Sequence, residues 1–90
     1  MFKKKHLIIS GKVQGVGFRY WMQNLAINNN ISGWVKNRSL GDVEALIIGQ
    51  EKEVQKLIKQ CKIGPSSATI QKIQINDYNQ NYSEKGFNIF

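Results

Sequence analysis

The sequence predicts an α+β fold in which two helices cover one face of an antiparallel sheet. Three observations predict it. Alternating apolar residues indicate several short strands, two further segments carry apolar residues at helical spacing, and the order is β-α-β-β-α-β with a short extra C-terminal strand. This order is that of the split βαβ, ferredoxin-like sandwich. At 90 residues the chain is expected to form one domain, residues 1–90.

The first strand and the first helix are separated by a turn that contains glycine. Residues 6–13, HLIISGKV, alternate apolar and polar side chains, which predicts a strand. The turn contains Gly15 and Gly17. From Phe18 to about Asn29 the apolar residues recur at helical spacing. The asparagines there end the predicted helix, because asparagine tolerates the left-handed conformation that often follows a helix.

The rest of the chain predicts a hairpin, a second helix and two strands. The hairpin strands are residues 32–37 and 42–49, and the turn RSLG lies between them. The helix begins at Glu51 and is stopped by Gly64-Pro65, with acidic residues in its first turn and lysines near its end, as the helix dipole favours. Strands are predicted at 69–75 and 86–90, and a polar loop at 76–85.

The composition excludes several classes of protein. Hydrophobic residues make up 41% of the chain, which is too much for a disordered protein. No apolar run approaches the ~20 residues of a membrane-spanning helix. The N-terminal apolar run, Leu7–Ile9, is shorter than the roughly 7–15 residues of a secretory signal. We therefore expect a cytoplasmic protein with no membrane association.

One cysteine and one histidine limit the chemistry. Cys61 has no partner for a disulfide, and Cys61 with His6 falls short of the ligands of a structural zinc site. Cys61 lies on the apolar stripe of the second helix, which predicts a buried thiol. His6 lies far from the glycine turn, and no pair of carboxylates is placed for acid–base catalysis. Any hydrolysis would therefore depend on positioning, charge stabilisation and a good leaving group.

The basic residues favour an anionic partner. The net charge is +7, which suits small phosphorylated substrates and nucleic acids equally well. Of 13 basic residues only Arg19 and Arg38 are arginines. Because a guanidinium offers a planar fork of donors that matches two phosphate oxygens, each arginine in a lysine-rich chain suggests a specific contact.

The turn before the first helix has the features of an anion-binding site. Gly15 and Gly17 permit positive φ, so successive backbone N–H groups can point into one concavity. The helix N-terminus adds unpaired N–H groups and a partial positive charge. Arg19 in the first turn opposes the helix dipole unless an anion lies between them. From the spacing alone, a tight turn with a surface arginine is favoured slightly over a phosphate site, and the stretch matches neither a dinucleotide fingerprint nor a Walker A loop.

Two segments resemble the signatures of the acylphosphatase family. GKVQGVGFR, from Gly11 to Arg19, is similar to the family's G-x-V-Q-G-V-G/F-F-R segment. The stretch from Gly33 to Gly49 is similar to G-aromatic-V-x-N-x-x-x-G-x-V-E-x-x-x-x-G. GPSSATIQKI and the terminal GFNIF are similar to later family segments, so the resemblance covers nearly the whole chain.

The resemblance implies a metal-free and cofactor-free hydrolase. Acylphosphatases split the carboxyl–phosphate anhydride of acyl phosphates into a carboxylate and inorganic phosphate. Arg19 matches the family's phosphate-binding arginine and Asn37 its water-orienting asparagine. Tyr20 lies at the edge of the phosphate cradle. The cradle falls on six residues: Gln14, Gly15, Val16, Gly17, Phe18 and Arg19.

Several residues have a second interpretation or depart from the family pattern. Asn37 also suits a residue that caps a hairpin turn. Arg38 is a candidate electrostatic helper, and we expect Trp21 and Trp34 to fill the core. Many acylphosphatases have Asp-Gly in the hairpin turn where this chain has Leu40-Gly41, and the loss of a local hydrogen bond there puts catalytic efficiency in question.

Two rival functions stay open at this point. RNA-recognition domains share the fold order and the positive charge, but they carry an aromatic K/R-G-F/Y-G/A-F-V-x-F/Y segment on a central strand, and GVGFRYW falls on the turn and helix. Acylphosphatase-like domains also occur in long maturation proteins that use carbamoyl phosphate. Those domains are parts of long chains, whereas this chain has 90 residues, so we expect a stand-alone monomer that acts on a small-molecule acyl phosphate. Because no strand carries the aromatic segment, we expect no binding of nucleic acid.

Overall fold

The computed structural model describes residues 1–90 and contains five strands and two helices. In chain order they are β1 (Phe2–Lys12), α1 (Phe18–Asn28), β2 (Ser32–Asn37), β3 (Val43–Gln50), α2 (Glu51–Ile63), β4 (Thr69–Asp77) and β5 (Phe87–Ile89). The predicted order of elements is confirmed, including the short terminal strand. β1 starts four residues before its predicted start, because the Lys3–Lys5 segment pairs with β3 although it lacks apolar alternation.

The five strands form one sheet in the order β4-β1-β3-β2-β5. The first four of these pair antiparallel, as the split βαβ arrangement predicts. The added strand β5 runs parallel to β2, so the sheet as a whole is mixed. Neither helix, at 11 and 13 residues, is long and apolar enough to cross a membrane.

Both helices pack on the same face of the sheet around a core of 15 buried residues. The strands contribute alternate residues such as Leu7 and Ile9, since successive side chains of a strand point to opposite faces. α1 buries Phe18, Met22 and Ala26, and α2 buries Val54, Leu57 and Cys61. The prediction of a buried thiol at Cys61 is confirmed, and burial raises the pKa of this thiol to about 12.

The two tryptophans lie in different places. Trp21 packs against the core with its ring centroid 5.2 Å from that of Phe18, as predicted. The prediction that Trp34 fills the core is wrong. Its neighbour Val35 points into the core, so Trp34 points to the sheet face that the helices leave open, where it lies beside Phe90 at 6.2 Å between ring centroids. Side-chain hydrophobicity suggested the core, but strand alternation decided the face.

Candidate active site

The loop of residues 14–17 joins β1 to α1 and has the predicted left-handed glycines. Gly15 has φ 73° and Gly17 has φ 78°. A Cβ atom at either position would meet no heavy atom within 4 Å, so the backbone conformation, not crowding, requires glycine there. Val16, between the two exposed glycines, packs against the core, and Phe18 after them is buried, so these two side chains anchor the loop.

The N-terminus of α1 lacks the groups that usually satisfy such an end. Gly17 is the N-cap residue and offers no side-chain hydrogen bond, and the first turn contains no acidic residue. The first N–H groups of a helix have no partner within the helix, and the helix dipole places a partial positive charge beside them. This end of α1 therefore favours an anion from outside the chain.

The two arginines have opposite surroundings. Arg38 binds the Asp42 carboxylate with both ends of its fork, at 2.6 Å from Nε and 2.8 Å from Nη2. This hydrogen bonding lowers the pKa of Asp42 and raises the pKa of Arg38. Arg19, half-buried in the first turn of α1, takes part in no salt bridge and no side-chain hydrogen bond. Arg19 is thus the arginine whose donors are free for a ligand.

The side chain of Gln14 brings the loop and the hairpin together. Its Nε2 group donates to the backbone carbonyls of Arg38 at 2.7 Å and Asp42 at 2.9 Å. Arg38 directly follows Asn37, and Asp42 directly precedes Val43. Asn37 and Val43 are the last pair between β2 and β3 before the turn. The predicted cradle and the predicted water-orienting residue therefore lie at the same end of the strands β1, β2 and β3.

Asn37 carries an acceptor with no partner. Its Oδ1 atom is buried and makes no hydrogen bond. A buried polar atom without a partner costs ~1–3 kcal/mol, so such atoms are rare outside sites that meet a ligand or a water molecule. The side chain does not cap the hairpin turn through this oxygen, which was the alternative interpretation of the sequence.

The remaining reactive groups lie elsewhere. His6 bonds Glu44 at 2.6 Å and lies on the open face of the sheet, since its neighbour Leu7 points into the core. Cys61 is buried in α2. No group of three or more His, Cys, Asp or Glu side chains is arranged to hold a metal ion.

Sequence reasoning missed the side-chain contacts of Gln14 and the pairing of Arg38 with Asp42. The Gln14 contact joins segments 24 and 28 residues apart, so no local pattern indicates it. The Arg38–Asp42 pair had a signal, because opposite charges four positions apart on the two sides of a hairpin turn face each other.

Comparisons with known proteins identify the family of this chain. Residues 5–89 match the family model described as acylphosphatase. The chain is 43% identical over 83 residues to the acylphosphatase of Acidiphilium cryptum, which covers 92% of this chain and 90% of that protein. The crystal structure of acylphosphatase from Bacillus subtilis superposes with a TM-score of 0.92 at 34% identity, covering 100% of this chain and 99% of that one.

A longer protein contains a similar fold. The structure of T. kodakarensis HypF superposes with a TM-score of 0.85 at 27% identity, but the match covers 98% of this chain and only 12% of that chain. The fold is that of a small α+β protein whose first helix begins, after a glycine loop, without a side-chain cap. From the family match and the relatives, the chain belongs to the acylphosphatase family of hydrolases.

Proposed function

We propose that the protein hydrolyses the carboxyl–phosphate anhydride bond of small acyl phosphates, with the phosphate held by residues 14–19 and the attacking water oriented by Asn37. One observation carries the proposal. Arg19 has no partner and lies in the first turn of a helix whose N-terminus has no acid and no side-chain cap, whereas the other arginine is bound to the Asp42 carboxylate. A phosphoryl group supplies the missing negative charge and accepts from both the guanidinium fork and the backbone N–H groups.

The leaving group explains how this site works without a strong acid. An acyl phosphate releases a carboxylate whose conjugate acid has a pKa near that of an aspartate side chain, about 4. Such a group departs at neutral pH without being protonated. The site then has to stabilise charge on the phosphoryl oxygens as the bond breaks, and Arg19 and the loop N–H groups do this.

The unpaired oxygen of Asn37 gives the attacking water its orientation. Oδ1 accepts a hydrogen bond from the water and directs it at phosphorus, in line with the leaving carboxylate. The family resemblance implies that the water's proton passes to a phosphoryl oxygen of the substrate. This fits the surroundings, since Asp42 is bound by Arg38 and His6 lies on the open sheet face. Asn37 is therefore a positioning group for water and not a base.

Phosphate release from acetyl phosphate and benzoyl phosphate tests this function. We expect turnover well above the spontaneous rate, and no turnover of phenyl phosphate, whose phenol leaving group has a pKa near 10. The family resemblance further predicts that excess chelator leaves the rate unchanged. Wild-type protein with no rate above background on either acyl phosphate would show the proposal to be wrong.

A further inference from the structure

The Gln14 side chain joins the loop before α1 to the hairpin between β2 and β3, and an ion pair between Arg38 and Asp42 closes that hairpin. Gln14 donates from one amide nitrogen to the carbonyls of Arg38 and Asp42, at 2.7 and 2.9 Å. Arg38 and Asp42 bind each other through their side chains at 2.6 and 2.8 Å, and the Arg38 backbone N–H donates to the Asp42 carbonyl at 2.9 Å. Gln14 thus reaches from the loop to both residues that close the hairpin.

These contacts lie directly beside Asn37 in the chain. Asn37 pairs with Val43 as the last pair between β2 and β3. Arg38 and Asp42 are the neighbouring residues just beyond the two strands. The Oδ1 atom of Asn37 has no hydrogen bond. Its place relative to the glycine loop therefore depends on the hairpin backbone, and Gln14, Arg38 and Asp42 fix that backbone.

The Arg38–Asp42 pair is better shielded than an ordinary surface ion pair. The Asp42 side chain is 13% exposed and that of Arg38 35%. A two-pronged arginine–carboxylate contact fixes direction as well as distance, which a single-point contact does not. At the tip of the same turn the Leu40 side chain is 84% exposed, so the side-chain contacts that hold the turn lie at its base and not at Leu40.

We infer that Gln14, Arg38 and Asp42 form a clasp that positions Asn37 opposite the anion-binding loop. The clasp residues act through Asn37 and do not touch the substrate with their side chains. The clasp supplies, at the base of the hairpin, the rigidity that Leu40 does not supply at its tip. The effects expected on kcat rest on the proposed function, whereas the effect of the clasp on the position of Asn37 does not.

Arg38→Met breaks the fork and keeps the length of the side chain. We expect kcat for benzoyl phosphate to fall roughly 10-fold or more, since small displacements of a positioning group slow a reaction strongly. The inhibition constant of inorganic phosphate should stay unchanged, because Arg19 and the loop remain. Lys5→Met is the matched control: it breaks the Lys5–Asp77 pair between β1 and β4, and we expect kcat to stay unchanged.

A double variant separates positioning from a general loss of stability. In an Asn37→Ala background, Arg38→Met should cause no further fall in kcat, because the group it positions is already gone. The charge exchange Arg38→Asp with Asp42→Arg should recover part of the lost kcat. An Arg38→Met enzyme with wild-type kcat, or one whose loss is the same with and without Asn37, would overturn the inference.

The side-chain amide signals of Asn37 and Gln14 in a ¹H–¹⁵N spectrum give a readout that needs no activity. We expect Arg38→Met to shift both signals and Lys5→Met to shift neither. If wild-type protein fails to hydrolyse acyl phosphates, the proposed function is wrong, and these spectra alone then decide whether the clasp holds Asn37. Unchanged Asn37 and Gln14 signals in Arg38→Met would overturn the clasp in either case.

Discussion

The two helices pack on the same face of the sheet, but the charged residues at their N-termini differ in sign. α2 begins with Glu51 and Glu53 in its first turn and ends with Lys62 in its last, so its charges match the helix dipole. Neither helix has a side-chain cap, but α1 has no acidic residue in its first turn and carries Arg19 there instead. The charges of α2 therefore match its dipole at both ends, whereas the N-terminus of α1, where the glycine loop meets it, has no matching negative charge.

This contrast separates residues that serve stability from residues that serve binding. A helix that only supports the sheet gains by neutralising its ends, as α2 does. The N-terminus of α1 forgoes a gain of ~0.3–1 kcal/mol per favourable charge, and a bound phosphoryl group would restore it. Substitutions at matching positions of the two helices therefore test whether only α1 serves binding.

The largest effect is expected at the second position of each helix. Arg19→Met should lower kcat for acyl phosphates by roughly 100-fold or more, the usual cost of losing a donor to a charged transition state. It should also weaken inhibition by inorganic phosphate. Lys52→Met is the matched control at the second position of α2, and it should change neither quantity. Equal losses in both variants would show that the two helix ends do not differ in function.

Asn37→Ala should show loss of rate without loss of stability. We expect kcat to fall about 10- to 100-fold because the water loses its orientation. Thermal denaturation should give an unfolding temperature no lower than that of the wild type, since the substitution removes a buried oxygen that has no partner. A clear drop in unfolding temperature would mean that Asn37 makes a structural hydrogen bond in solution.

A smaller effect is expected at the third position of each helix. Tyr20 is 66% exposed, and Tyr20→Glu places an acid where α2 has Glu53. It should stabilise the fold by ~0.3–1 kcal/mol through the dipole and yet weaken phosphate inhibition, because the carboxylate competes with the ligand. Glu53→Gln should destabilise the fold by a similar amount and leave phosphate inhibition unchanged. Denaturant unfolding and inhibition assays on both variants check this.

The smallest effect is expected at the tip of the hairpin. Leu40→Asp restores the Asp-Gly turn of many acylphosphatases, but the hairpin is already closed by contacts between Arg38, Gly41 and Asp42. We expect a change of less than ~0.5 kcal/mol in the free energy of unfolding, as for most surface substitutions. The rate should stay within about 2-fold. A large gain in kcat from Leu40→Asp would mean that the tip, and not its base, limits the position of Asn37.

The sequence was sufficient for features that local chemistry determines. Apolar alternation and helix-end signals placed both helices to within a residue or so, and the glycine pattern placed the loop. The family resemblance assigned roles to Arg19 and Asn37, and these assignments stay predictions. The free state of Arg19 and the unpaired oxygen of Asn37 support them.

Features that depend on tertiary contacts were beyond reach. The open-face position of Trp34 follows from strand register, which a six-residue strand does not reveal by itself. The contacts from Gln14 to the hairpin join distant segments of chain. The motif places Gln14 in the cradle, but only the folded structure shows that its side chain donates to the hairpin carbonyls of Arg38 and Asp42.

The division of roles between Arg19 and Asn37 is tested by measuring kcat and the phosphate inhibition constant side by side in wild type, Arg19→Met and Asn37→Ala. We expect Arg19→Met to lose both turnover and phosphate binding, whereas Asn37→Ala loses turnover and binds phosphate as the wild type does. Equal loss of phosphate binding in the two variants, or full turnover in Asn37→Ala, would contradict this division of roles.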